Sequence, residues 1–203
     1  IGVANERSIA WGIANVLAEH GAELAITYQT ESFEKRVRPL GERIGSKLVL
    51  PADVQDEQSL RYLFEKLEES WGQLDFVVHA IAYSDKDELV GSFINTSRSN
   101  FLNSLDISCY SLVDLSRRAA PLMKAGGSIV TLTYMGSQRV TPNYNVMGVA
   151  KAALESTVRY LASDLGGHGI RVNAISPGPM KTLAGAAIGG ARTVYRTAEE
   201  NSP

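Results

Sequence analysis

Two side chains have the types and spacing to work as an acid pair. Tyr144 and Lys151 stand seven positions apart in a stretch, 143–167, whose apolar spacing predicts a helix. Seven steps of 100° bring the direction back to within about 20°, so both side chains would leave one face. A phenol beside an ammonium is a useful acid. The positive charge favours phenolate and lowers a pKa that starts near about 10. A surface Tyr and a surface Lys share a face in many helices, so the pair alone does not define a site. Tyr134, ten residues earlier, follows a predicted strand and would face the same cleft, as a site residue or as a packing aromatic.

The first turn offers a second kind of chemistry. Residues 2–12 (GVANERSIAWG) lead directly into a predicted helix. A helix start presents free backbone N–H groups and a partial positive charge, which suits a pyrophosphate. Gly2 would let the chain turn tightly, Gly12 would let the helix approach a sheet, and Ser8 could cap the helix or donate to a phosphate. A plain loop with a serine cap reads the same way, and the spacing is not G-x-G-x-x-G.

The elements that must position these groups alternate. Helical periodicity covers 8–20 and stops at Gly21; 31–44, 56–71 (with Asp56 as cap), 103–124 and 143–167 read as further helices. Short segments at 23–28, 47–53, 75–80, 128–133 and 170–176 read as strands. The last is broken by Pro177-Gly178-Pro179. Such alternation predicts an α/β fold, a Rossmann-like doubly wound parallel sheet covered on both faces. Ligands then bind outside the carboxyl ends of the strands. That rule selects residues 2–8, 28–29, 53–54, 79–84, 133–134 and 176–184.

Composition narrows the function classes. The chain has 203 residues, 44% hydrophobic and 21% charged, with a formal net charge of -2. This is a globular balance, with no basic excess to suggest nucleic acid. The single cysteine, Cys109, allows no internal disulfide and reads as a buried small residue in a reducing compartment. His79 reads as a hydrogen-bonding core residue, and no metal site is expected. No apolar run is long enough to suggest membrane insertion. Residues 1–203 read as one domain, incomplete at both ends, with 177–203 as a substrate-covering region.

Taken together, these segments resemble the short-chain dehydrogenase/reductase superfamily. The closer match is its divergent branch, the bacterial enoyl-[acyl-carrier-protein] reductases. Most of the superfamily carries Tyr-x3-Lys, whereas Tyr144-x6-Lys151 has the longer spacing of that branch. The string TLTYMGSQRVTPNYNVMGVAKAALE resembles its catalytic segment, and HGAELAITYQ, VLPADV and RVNAISPGPMKTLA resemble other segments of it. Ala80 and Ala82 stand where relatives often have Ser and Gly. The family's first and final strands have no counterpart in the sequence.

The resemblance implies roles. Tyr144 is the active-site tyrosine, Lys151 binds the nicotinamide ribose, and Tyr134 is a second active-site tyrosine near the acyl group. Gly2, Ser8 and Ile9 match the pyrophosphate turn, Gln29 the ribose end, and Asp53 and Val54 the adenine contacts. Ile81 lies beside the nicotinamide half, and Ser84 falls where the family contacts substrate. Met180, Lys181, Thr182, Leu183 and Ala184 match the segment that closes over the cofactor. The implied reaction reduces an enoyl thioester on acyl carrier protein, in a homotetramer in the bacterial cytoplasm. Another reductase of the superfamily, acting on ketoacyl thioesters or carbonyls, is the alternative. Neutral Gln29, followed by Thr30 and Glu31, places no cation for a 2′-phosphate, which favours NADH over NADPH.

Overall fold

The alternation of apolar and turn residues is realised as alternating strands and helices. A computed structural model describes residues 1–182 and Gly185. Helices α1 (Ile9–Glu19), α2 (Glu31–Arg43) and α3 (Glu57–Trp71) alternate with strands β1 (Ala25–Tyr28), β2 (Leu48–Pro51) and β3 (Phe76–His79). α1 ends as its glycine demands: Gly21 takes φ +84°, and the Gly21 and Ala22 N–H groups return to the Ala18 and Leu17 carbonyls. Asp56 caps α3 by accepting from the Gln58 N–H.

The second half departs from expectation at one place. The helix expected over 103–124 begins earlier and changes gauge. It runs as α4 (Arg98–Leu105), a π-helical turn (Asp106–Tyr110), α5 (Ser111–Ala119) and a 3₁₀ turn (Ala120–Leu122). The inward face of α4 is polar, with Asn100 and Ser104 buried, and Ser108 and Ser111 continue that polar stripe beside the apolar Ile107, Leu112 and Leu115. Strand β4 (Gly127–Leu132), helix α6 (Asn145–Gly166) and strand β5 (Ile170–Ile175) complete the described order. α6 starts at Asn145, so Tyr144 sits at its cap rather than inside it.

All strand pairs are parallel, in two groups, β1–β2 and β3–β4–β5. Successive strand residues face opposite sides. Ile26, Val49 and Phe76 pack with α1 and α2 around Trp11, Ala14 and Leu40. Their neighbours Ala25, Leu48, Leu50 and Val77 pack with α3, α5 and α6 around Leu63, Leu115 and Leu154. That period of two means helices cover both faces, as a doubly wound fold requires.

Among the described residues the two strand groups do not pair with each other, in keeping with the expectation that the family's first strand has no counterpart in this sequence. β1 and β3 face each other across an apolar slot of about 750 Å³ lined by residues such as Val3, Ala14, Leu24, Leu67 and Val77. Ile1 enters it beside β3: its nitrogen donates to the Val78 carbonyl at 2.8 Å, and its carbonyl accepts from the Ala80 N–H at 3.0 Å. This is the bonding pattern of a parallel ladder.

Candidate active site

Because the strands run parallel, their carboxyl ends gather the selected residues. Tyr134 follows β4 in extended backbone, with φ -157° and ψ 149°. Tyr144 lies at the start of α6 between Asn143 and Asn145, whose φ values are +59° and +33°. Asparagine tolerates this region better than other non-glycine residues, yet both positions store strain. The Asn145 side chain repays part of it by donating to the Glu88 carbonyl at 3.0 Å. The two tyrosine rings meet edge to face, centroids 5.1 Å apart.

Lys151 lies about two turns into α6 and is buried; its ammonium donates to the Leu132 carbonyl at 2.7 Å. Burial lowers its pKa to about 8. The acidified phenol expected from spacing alone is not what the structure gives. Tyr144 is buried, and burial followed by the nearby Tyr134 raises its pKa well above the usual phenol value. It is therefore held as a neutral hydroxyl donor over the working pH range.

Behind these groups His79 spans three elements. It is fully buried on β3, with Nδ1 2.8 Å from Thr131 Oγ1 on β4 and Nε2 2.8 Å from Ser111 Oγ on α5. Burial first, then the Lys151 charge, lowers its pKa to about 3. The imidazole is thus a neutral tie between strand and helix, matching its reading as a core hydrogen-bonding group.

The first turn has a specific reason for its glycine. Gly2 takes φ +109°, and a Cβ there would lie 2.1 Å from the Ala80 carbonyl oxygen. Gly12 has no such role, since nothing lies within 4 Å of a Cβ built on it. Ser8 precedes α1, but its hydroxyl donates to the Asn5 carbonyl at 2.6 Å and makes no side-chain cap bond. Ile9 opens the helix, whose first turn holds no acidic residue to oppose an anion.

At the other end of the edge, Gln29 follows β1 and Asp53 follows β2. The Gln29 amide reaches the Asp53 carboxylate at 3.5 Å. Asp53 in turn shapes its own loop, accepting from the Gln55 N–H at 3.0 Å. Val54 packs against the main core. Ile81 is half-buried beyond β3. Ser84 is used locally: its hydroxyl donates to Asn100 Oδ1 at 3.2 Å. Cys109 is half-buried, not fully buried, with Sγ 3.3 Å from Thr157 Oγ1.

Met180 and Lys181 are exposed, and the Thr182 N–H donates to the Met180 carbonyl at 2.8 Å. Leu183 and Ala184, with 186–203 of the expected covering region, lie outside the described residues.

The donor set fits a dinucleotide. The Gly2 turn brings the backbone against the end of β3, the acid-free start of α1 suits phosphate, and Gln29 with Asp53 offers hydroxyl-binding groups. Residues 2–203 match the family described as Enoyl-(Acyl carrier protein) reductase. The chain belongs to this family. It is 57% identical over 203 residues to "Enoyl-[acyl-carrier-protein] reductase [NADH] 2" of Rhizobium meliloti, covering all of this chain and 76% of the relative. It is 55% identical over 202 residues to the NADH enoyl reductase FabI of Rickettsia bellii, covering all of this chain and 77% of that one. A crystal structure of the enoyl reductase from Anaplasma phagocytophilum in complex with NAD superposes with a TM-score of 0.95 at 54% identity. It covers all of this chain and 77% of the other.

Sequence reasoning missed several parts of this reductase site. Asn100 and Asn145 tie the loop after β3 to the helices, and Glu155 grips the segment that carries Tyr134. Glu155 lies one turn beyond Lys151 on the same face of α6, and that spacing was the available signal.

Proposed function

We infer that the chain reduces trans-2-enoyl thioesters carried on acyl carrier protein, with NADH as reductant, in fatty acid elongation. The observation that carries the reading is the arrangement of Tyr134, Tyr144 and Lys151 at one strand end. When bound, the nicotinamide cofactor supplies hydride for the β-carbon of the enoyl group.

Negative charge then develops on the thioester oxygen as an enolate, and a proton taken up at the α-carbon, delivered by Tyr144 or by water, completes the reduction. Tyr144 donates a hydrogen bond to that oxygen, and its elevated pKa keeps the proton available. Such a bond strengthens as charge builds, so it favours the transition state over the ground state. Lys151 holds the nicotinamide ribose, and its bond to Leu132 fixes where the ammonium stands. Tyr134 borders the acyl group and packs edge-on against Tyr144, limiting its rotation. Ser84, on the loop tied to α4, lies on the substrate side. Gly2, Ser8 and Ile9 receive the pyrophosphate; Gln29, Asp53 and Val54 receive the adenosine; Ile81 and 180–184 border the nicotinamide half.

Residues 1–203 act as one reductase domain in this reading. Exposed Leu102 on α4, Tyr110 on the π turn and Tyr160 on α6 offer apolar surface for a homotetramer. The setting is the bacterial cytoplasm. No helix among the described residues is long and apolar enough to cross a membrane.

The test is to follow loss of reduced nicotinamide absorbance with crotonyl and ketoacyl thioesters, each with NADH and NADPH. Turnover of the enoyl thioester with NADH supports the reading. Turnover restricted to the ketoacyl thioester overturns it in favour of a ketoacyl reductase.

A further inference from the structure

The segment that carries Tyr134 is gripped on both sides by a single carboxylate. Thr133 Oγ1 donates to Glu155 Oε1 at 2.7 Å, and Ser137 Oγ donates to the same oxygen. Glu155 is half-buried on α6, one turn after Lys151. Burial alone would raise its pKa. The hydrogen bonds from Ser137, Thr133 and Gln138, with the Arg159 charge, outweigh burial and hold the carboxyl below its usual value.

The same short strap is also held by backbone hydrogen bonds and by packing against Tyr144. Its upstream end is continuous with β4, where the Thr133 N–H donates to the Ile175 carbonyl at 2.9 Å. Its turn closes when the Ser137 N–H donates to the Tyr134 carbonyl at 2.9 Å. Gly136 in that turn lies against the Tyr144 ring, and Gly148 of α6 lies against the Gly136 carbonyl. Two successive turns of α6 therefore hold the strap: Lys151 takes the Leu132 carbonyl, and Glu155 takes the hydroxyls flanking Tyr134.

We propose that Glu155 is a positioning residue for the reaction, acting through the Thr133–Ser137 clamp to set Tyr134 against Tyr144. This rests on the reading of the two tyrosines given above. Glu155 accepts hydrogen bonds from Thr133, Ser137 and Gln138. Its effect is to fix the backbone from which one ring projects and against which the other packs. A shift of the strap by a fraction of an ångström would move both hydroxyls relative to a bound thioester, and catalysis is sensitive to such displacement.

The test compares Glu155→Ala with Glu155→Gln in the complete enzyme, alongside a Thr133→Val/Ser137→Ala double variant. Each is checked for folding by its melting transition. Gln keeps an oxygen able to accept both hydroxyls, so Glu155→Gln retains turnover. Glu155→Ala and the double variant lose about tenfold or more in kcat/KM for the enoyl thioester. KM for NADH stays within about twofold, because Lys151 keeps its own bond to the Leu132 carbonyl upstream of the clamp and the first-turn groups are unchanged. Equal loss in the Ala and Gln variants, an equal rise in KM for NADH, or full activity in a folded Glu155→Ala overturns the proposal. Tyr134→Phe, made separately, tests the tyrosine reading itself. Unchanged kcat/KM there removes Tyr134 from the mechanism, while the Ala-against-Gln comparison still decides the role of Glu155.

Discussion

Gly136 and Tyr144 are in such close register that a Cβ on Gly136 would sit 2.5 Å from the Tyr144 ring. The ring edge occupies the space a side chain would need. Gly136 shows no positive φ, so its requirement is steric and not conformational. Gly136→Ala must therefore move the phenol or the strap. The expected outcome is a loss of about tenfold or more in kcat with the fold retained, read from steady-state kinetics and a melting curve. Wild-type kcat in this variant would show that the Tyr144 ring need not stay where it is.

Lys151 gives a pH dependence. Burial brings its pKa to about 8, so the free enzyme loses the ammonium charge as pH rises through that value. Activity that needs the charge is present below about 8 and declines above it. The profile of kcat/KM, which reports free-enzyme groups, should show this alkaline limb. Lys151→Arg, with a group that stays protonated, should move the limb to higher pH whatever its effect on the maximum. An unmoved limb assigns it to another group.

His79 gives a dependence in stability. Its pKa is about 3 when folded against 6.5 unfolded. Below 6.5 the unfolded chain takes up a proton that the folded chain refuses. The stability due to neutral burial is complete above 6.5 and lost as pH falls towards 3. The slope is about 1.4 kcal/mol per pH unit. Denaturant unfolding of wild type and His79→Gln between these limits measures it. The variant should be less stable at neutral pH, through its lost bonds to Thr131 and Ser111, and its stability should fall less steeply with acid.

The proposed role of Gln29 in cofactor preference is open to direct test. Its amide reaches Asp53, and α2 begins with Glu31 and Glu34 in its first turn, so the ribose end is short of positive charge. Gln29→Arg supplies a cation for a 2′-phosphate. The ratio of kcat/KM for NADPH over NADH should rise by about tenfold or more. A constant ratio would place the discrimination elsewhere on this edge.

The sequence was legible where burial and periodicity coincide. The run at 75–80 is apolar apart from Asp75 and His79 and forms β3, while 170–176 alternates, with Ile170 and Val172 buried and Arg171 and Asn173 exposed, and forms β5; both lie within a residue of the expected bounds. Helix α4 was missed because Asn100 and Ser104 face inward, so apolar spacing vanishes there. Seven-residue spacing placed Lys151 within reach of the Tyr144 region, but it carries no information about burial. The direction of the phenol pKa was therefore misread. For Glu155 the sequence carries only its spacing from Lys151, not its partners. Its partners Thr133 and Ser137 lie 22 and 18 positions away, and only the fold joins them.

The most direct test of the mechanism is the steady-state reduction of an enoyl thioester by Tyr144→Phe in the complete enzyme. The ring, its packing against Tyr134 and Gly136, and the cofactor groups all remain. Only the hydroxyl is removed. The account predicts that kcat falls by about 100-fold or more while KM for NADH stays within about twofold. A folded variant with wild-type kcat would contradict the assignment of Tyr144 as the donor to the enolate oxygen.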